Sequence, residues 1–216
     1  MRYTKGNVFI GVFLCAGFVI LGTANGDTGT QDVASLAAQC EGCHGKGGAS
    51  QVPKIPIIGG VSSLYLSDAM AAFRDKSRPC MGGTMCLIAK SLSEADTQRL
   101  ADYFASKPFI RARQSFDDDL AKRGRDIFNR YCNKCHENGG SMAQDDAGIM
   151  AGQWKPYLEE QFKDYASGKR LMPEKMKPKM AKLQGEDIKA LLQFFASFQQ
   201  TDLGINQAAA SAYSHQ

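Results

Sequence analysis

Cys132-Asn133-Lys134-Cys135-His136 echoes an earlier stretch, Cys40-Glu41-Gly42-Cys43-His44. A Cys-x-x-Cys-His pentapeptide is the attachment signature of c-type haem. Its two thiols add across the two porphyrin vinyl groups, and the adjacent imidazole reaches the iron through Nε2. With the Cys and His content of this chain, shuffling yields one such pentapeptide roughly 0.003 times, so two copies are not chance. A redox dithiol has no need of the His, and a Cys2His2 zinc site needs a second ligand pair that does not follow. Cys40, Cys43, Cys132 and Cys135 are therefore expected to hold two haems, with His44 and His136 as proximal iron ligands.

Outward from the motif, the whole chain repeats. The offset of 92 between Cys40 and Cys132 also pairs Gly60 with Gly152, Tyr65 with Tyr157, Leu66 with Leu158 and Phe73 with Tyr165. After a one-residue deletion the offset is 91, pairing Leu92 with Leu183, Asp96 with Asp187, and Tyr103-Phe104-Ala105-Ser106 with Phe194-Phe195-Ala196-Ser197. Each copy reads as a helix entering the haem motif, a Gly-containing loop, a middle helix, a Met-bearing loop and a last helix. Val33, Leu36 and Ala37 make an i, i+3, i+4 face, as do Leu120, Ile127, Phe128 and Tyr131. Ser115 with Asp118 suggests a capping box, Ser93 and Asp96 start one last helix, and Gly185 precedes Ile188, Leu191, Leu192 and Phe195 in the other. No convincing period-two alternation occurs, so the expectation is an all-α chain almost without sheet. The expected limits are a signal peptide at 1–24, an N-terminal domain at 25–107, a connection at 108–114, a C-terminal domain at 115–200 and a flexible tail at 201–216. Units this small bury little apolar surface alone. A covalent haem supplies the missing bulk, and the aromatics of the last helices read as core and haem packing.

The N-terminus has the pattern of an export signal. Arg2 and Lys5 precede an apolar run from Val8 to Leu21, followed by Gly22, Thr23 and Ala24. The run is short for a spanning helix, and Cys15 follows bulky residues, unlike a lipid-attachment cysteine. Export implies the periplasm, where haem is attached to such chains. Loss of Arg2 and Lys5 lowers the formal net charge from +4 to +2, a balance that does not point to nucleic acid.

A haem with one protein ligand binds oxygen or peroxide, whereas one with two is built for electron transfer. His215 is the one remaining histidine, which leaves methionine. Met85 and Met176 each stand seven residues before Leu92 and Leu183, and 41 and 40 residues after their proximal histidines. The same repeat also pairs Met81 with Met172, and Met180 is within reach. Met85 and Met176 are taken as the axial pair because they lie nearer the last helix. Met70, Met142 and Met150 read as core fillers. A dihaem peroxidase, which needs an open iron and distal acid–base groups, is disfavoured by this ligand supply. Cys80 and Cys86 flank Met81 and Met85, and in an oxidising compartment they are expected to pair. Their counterparts are Leu171 and Lys177.

The tandem motifs, the spacing to Met and the Phe-Ala-Ser endings resemble class I tandem dihaem cytochromes c. The likeness is nearest to the cytochrome subunit of flavocytochrome c sulfide dehydrogenase. It is carried by Gln114-Ser115-Phe116-Asp117, Tyr131 to Glu137, Ala151-Gly152-Gln153-Trp154 and Lys169-Arg170-Leu171-Met172 through Met176, and in the first half by the haem motif, Phe73 and Met85 through Lys90. The resemblance implies two class I cytochrome domains and a periplasmic flavoprotein partner carrying FAD, which oxidises sulfide and hands electrons to the haems. A free-standing dihaem carrier feeding a terminal oxidase or reductase is the alternative. In such domains a Pro carbonyl often receives the proximal His. Pro53 or Pro56 is placed to serve His44, but no Pro lies between His136 and Trp154, so the second haem is expected to be oriented differently. Lys169, Arg170, Lys175, Lys177, Lys179 and Lys182 cluster around Met176, either as a solvated loop or as a docking rim for an acidic partner.

Overall fold

The computed structural model describes residues 32–199, the Met81 side chain excepted. The expected signal peptide and tail lie outside the described residues. Nine helices carry the described fold: α1 (Val33–His44), α2 (Ser63–Arg74), α3 (Thr84–Ser91), α4 (Glu94–Ala105), α5 (Asp118–Tyr131), α6 (Glu137–Gly140), α7 (Lys155–Ala166), α8 (Lys177–Met180) and α9 (Gly185–Ser197). One isolated antiparallel bridge, Gln144 to Ala147, is the sole β pairing among the described residues. The all-α expectation therefore holds.

Helix ends follow local chemistry. The Ser93 hydroxyl accepts the Asp96 N–H at 3.0 Å, and Gln184 and Asp187 form a reciprocal capping box at the start of α9. The expected box of Ser115 and Asp118 does not form. Asp117 caps α5 instead, its carboxylate accepting the Leu120 N–H at 2.8 Å. Ser115 lies upstream of the helix with its carbonyl taken by Lys155 Nζ. A carboxylate at an N-terminus also meets the positive end of the helix dipole.

Each half buries its own apolar cluster. Leu36, Ala37, Leu100 and Phe104 join α1 to α4. Phe128, Leu158, Leu191, Leu192, Phe194 and Phe195 join α5, α7 and α9. The α5–α9 crossing is tight at Gly124, where a Cβ would lie 2.1 Å from the Ala190 carbonyl oxygen. Only glycine fits there.

A third cluster, Ile57, Ala112 and Trp154, lies between the halves. The Gln153 amide pairs in both directions with the Ile57 backbone, accepting from its N–H at 3.0 Å and donating to its carbonyl at 2.9 Å. Trp154 Nε1 donates to the Ser50 carbonyl at 2.9 Å. The connecting segment is itself tied down, the Ala112 N–H reaching the Gly152 carbonyl at 2.8 Å. Ala151-Gly152-Gln153-Trp154, one of the stretches behind the family resemblance, is thus the seam that sets the two halves against each other.

Candidate haem sites and the seam between them

The two motifs enter their sites differently. α1 continues through the first motif and ends at His44. His44 is buried, and its Nδ1–H donates to the Pro56 carbonyl at 2.9 Å, so of the two candidate prolines Pro56 is the one engaged. This tautomer leaves Nε2 with a free lone pair. Burial pushes the His44 pKa below its ordinary value, with the Pro56 bond opposing, and the ring is neutral as a ligand must be. In the second half α5 stops at Tyr131. The Cys132 and Asn133 N–H groups both turn back to the Phe128 carbonyl, at 2.7 and 3.0 Å, and the His136 N–H reaches the Cys132 carbonyl at 3.0 Å. His136 Nδ1 is buried with no hydrogen-bond partner. Burial lowers its pKa, Asp146 opposes this and Lys175 adds to it.

The first thiol of each pair is not poised as a free nucleophile. Burial pushes Cys132 up to about 11 and raises Cys40 as well, which keeps both protonated at neutral pH. Among the described residues no group of three His, Cys, Asp or Glu side chains is placed to hold a metal ion. The cysteine pairs therefore lack the further ligands that a zinc site needs.

One cavity of about 530 Å³ runs through both halves, with Cys40, Cys43, His44 and Met85 on its wall in the first and Cys132, Cys135, His136 and Met176 in the second. Phe104 and Phe195, equivalent residues of the last long helices, also line it, and both are buried. The largely apolar wall, two proximal imidazoles held neutral and a pair of thiols beside each all suit a flat, apolar, covalently held group. Met180 shares the wall, whereas Met172 is not among its described lining residues. The expected Met-bearing loop is only partly a loop: Met85 lies in the first turn of α3 and Met176 caps α8. Met150 packs on the second core and Met70 lines the cavity. Met142, read as a core filler, is 44% exposed, because the segment carrying it runs over the surface.

Between the sites lies a cluster that the sequence reading missed. Arg78, 6% exposed, donates from Nη2 to the Tyr157 hydroxyl at 2.7 Å and to Gln161 Oε1 at 3.0 Å. Arg170 mirrors it, donating to the Tyr65 hydroxyl at 3.3 Å and to Gln161 Oε1 at 2.7 Å. Arg78 stacks over Phe73 at 4.6 Å and Arg170 over Tyr165 at 4.5 Å. Arg78 and Arg170 are 92 residues apart, the offset of Tyr65 to Tyr157 and of Phe73 to Tyr165, so the contacts cross the seam with twofold-like symmetry. That shared offset was the available signal. Burial alone would raise the Tyr65 phenol, but Arg78 and Arg170 outweigh it and hold the pKa below its ordinary value. Arg170 consequently leaves the basic rim in which the sequence placed it. Lys175 and Lys177 of that rim pair with Asp146 and Glu174.

Residues 119–195 match the family of cytochrome c oxidase, cbb3-type, subunit III. Over 168 residues the chain is 28% identical to cytochrome c-552 of Acidithiobacillus ferridurans, covering 71% of this chain and 72% of that protein. Its structure is similar to cytochrome c4 of Acidithiobacillus ferrooxidans, with a TM-score of 0.65, 26% identity and coverage of 74% of this chain and 99% of the other. Reduced recombinant cytochrome c4 from Pseudomonas stutzeri is similar too, with a TM-score of 0.64, 26% identity and coverage of 76% and 95%. Fold, paired motifs and relatives define a class I c-type cytochrome. More narrowly, the chain has two class I cytochrome domains with two covalent c-type haems and is similar to the dihaem cytochromes c4. The expected likeness is thereby widened from one flavocytochrome subunit to these dihaem cytochromes.

Proposed function

We propose that the chain is an exported two-haem relay that carries electrons one at a time. Cys40, Cys43 and His44 would hold the first haem, with Met85 as its other iron ligand. Cys132, Cys135 and His136 would hold the second, with Met176 as its other iron ligand. The carrying observation is that a single cavity wall presents both Cys-Cys-His sets together with these two methionines. When bound, a c-type haem supplies a one-electron iron couple. The protein's residues do the rest. Burial keeps both imidazoles neutral, the apolar wall excludes water, and a thioether in the sixth position denies peroxide or oxygen an open site. The test is Met85→Ala and Met176→Ala in the holoprotein. Each is expected to remove half of the far-red sulfur–iron band of the ferric state; retention of the full band in either variant assigns that ligand elsewhere, with Met180 the next candidate in the second half.

The signal-like segment at 1–24 supports removal on export and a periplasmic location. No described helix is long and apolar enough to cross a membrane.

For the donor, the proposed partner is a sulfide-oxidising flavoprotein bearing FAD. The support is the run of second-half residues that resemble the flavocytochrome subunit, together with electron arithmetic: a reduced flavin holds two electrons and each haem accepts one. The likeness to cytochromes c4 favours a second reading, a free-standing carrier that feeds a terminal oxidase or reductase. Affinity purification of the tagged chain from its native extract separates them. Co-purified flavin with sulfide-dependent haem reduction supports the flavoprotein; a flavin-free preparation with no such reduction in the extract overturns it in favour of the free carrier.

A further inference from the structure

We infer that the Cys80–Cys86 disulfide is a positioning device for Met85, present in the first half alone because only there is the backbone around the axial methionine loose. The inference rests on the reading of Met85 as sixth ligand. The two cysteines are bonded, with Cα atoms 5.8 Å apart and a sequence separation of 6, and they enclose Met81, Gly82, Gly83, Thr84 and Met85. Gly82 and Gly83 have φ of 64° and 80°, and a Cβ at either would meet nothing within 4 Å. Their freedom is therefore not spent on close packing, and consecutive glycines carry a large conformational entropy. The turn is a short 3-10 helix at Met81–Gly83, entered by a bond from the Gly83 N–H to the Cys80 carbonyl at 3.0 Å. α3 then begins without a side-chain cap.

The two ends of α3 are held by different means. Its C-terminal end is anchored by Arg74, whose Nε donates to the Ala89 carbonyl at 2.9 Å and whose Nη2 donates to Leu92 at 3.3 Å. Ala89 is the only residue of α3 that is fully buried among those described, and Leu87 is 71% exposed. Packing thus does little for the N-terminal end, where Met85 sits. Cys80, by contrast, follows two residues after Arg78, which is buried in the seam between the halves. The disulfide transfers that fixed point to Cys86, the residue beside Met85.

The second half reaches the same end without cysteines. At an offset of 91, Pro173 and Glu174 stand where Gly82 and Gly83 do, and Leu171 and Lys177 replace the cysteines. The Met176 and Lys177 N–H groups both bond to the Pro173 carbonyl, at 2.9 and 3.3 Å, and the Leu171 N–H bonds to the Ser77 carbonyl at 3.1 Å. Proline there lowers the entropy of the free chain, as a cross-link does in the other half.

The experiment compares the full-length ferric holoprotein with its Cys80→Ser/Cys86→Ser variant, using imidazole as a competing iron ligand. Loss of the sulfur–iron band reports displacement of Met, and reduction potentials are read in parallel. Without the disulfide, imidazole is expected to bind at the first haem about tenfold more tightly, with the second haem unchanged. If the double variant does not fold, the native holoprotein is opened after assembly. A water-soluble phosphine takes up the oxygen of water as its oxide while the S–S bond becomes two thiols, which are capped with iodoacetamide before the irons are reoxidised. Unchanged imidazole binding at both haems of the opened protein overturns the inference. Met85→Ala with the disulfide intact separates the causes: if it keeps the full band, the ligand reading fails and the positioning role with it. If it loses half the band while the opened protein is unchanged, the positioning role alone fails.

Discussion

The two halves of this chain answer one structural problem in two ways. In the first half His44 is oriented by the Pro56 carbonyl at 2.9 Å; in the second, His136 Nδ1 has no partner. One helix runs through its haem motif, whereas the other stops before it. One axial loop is closed by a disulfide and the other is stiffened by Pro173. A duplicated unit can hold its motif and its core constant while the atoms that orient and restrain the ligands diverge. Such outer partners orient the ligands and tune the metal site.

The sharpest way to break the comparison is at the helix crossings. Gly124 sits where a Cβ would overlap the Ala190 carbonyl oxygen, while its counterpart at the offset of 92 is Asp32, ahead of α1. Gly124→Ala is expected to destabilise the second half by about 3 kcal/mol through overpacking. In denaturant titrations followed through each haem's sulfur–iron band, the second half should lose its band first; loss of both bands at an unchanged midpoint contradicts the clash.

Next in size is the seam. Arg78→Ala leaves the Tyr157 hydroxyl without its guanidinium and opens space beside Phe73, at a cost of about 2 kcal/mol. Arg170→Ala, on the more exposed and longer of the two cross-contacts, should cost less. A double-mutant cycle of Arg78→Ala with Tyr157→Phe measures the cross-seam coupling directly. Additive losses would show that the contact does not tie the halves together.

A smaller effect concerns the irons. An imidazole that donates through Nδ1–H to a carbonyl is the more basic ligand and favours the ferric state. The first haem is therefore expected to have the lower reduction potential, although the Asp146 carboxylate, a larger influence on His136 than its partner Lys175, narrows the contrast. Potentiometric titration of the holoprotein, with each haem assigned through its Met variant, checks the order; the reverse order refutes it.

The smallest effect is a surface one. Lys175 holds the Asp146 carboxyl below its ordinary pKa by hydrogen bonding. The sign follows from a folded value lower than the unfolded one: the stabilisation is complete above about pH 4 and is lost as pH falls through the lowered folded value. Asp146→Asn should therefore flatten the acid limb of second-half stability and leave the first half unaffected. Both residues are exposed, so added salt should erase most of the difference.

Much of this molecule was determined by sequence alone. Covalent haem chemistry needs two thiols and an imidazole at fixed local spacing, so Cys40 to His44 and Cys132 to His136 declare it without any fold. The repeat gave the helix order, because apolar periodicity and caps such as Ser93 are local. Even the Pro56 contact was half legible, as one of two prolines. Met85 over Met81 was a choice by spacing alone, since a sulfur four residues away reaches a similar volume. The cap of α5 was misplaced by two residues because the chain at Ser115 is held by Lys155, a distant residue. What tertiary structure decided lies mostly across the seam. Arg170 looked like one more surface cation in a lysine-rich stretch. Only the docking of the two halves brings it to Tyr65, 105 residues away, where burial turns a solvated charge into a cross-brace. Pairing at that range depends on how two packed units meet, and no local pattern of residues encodes it.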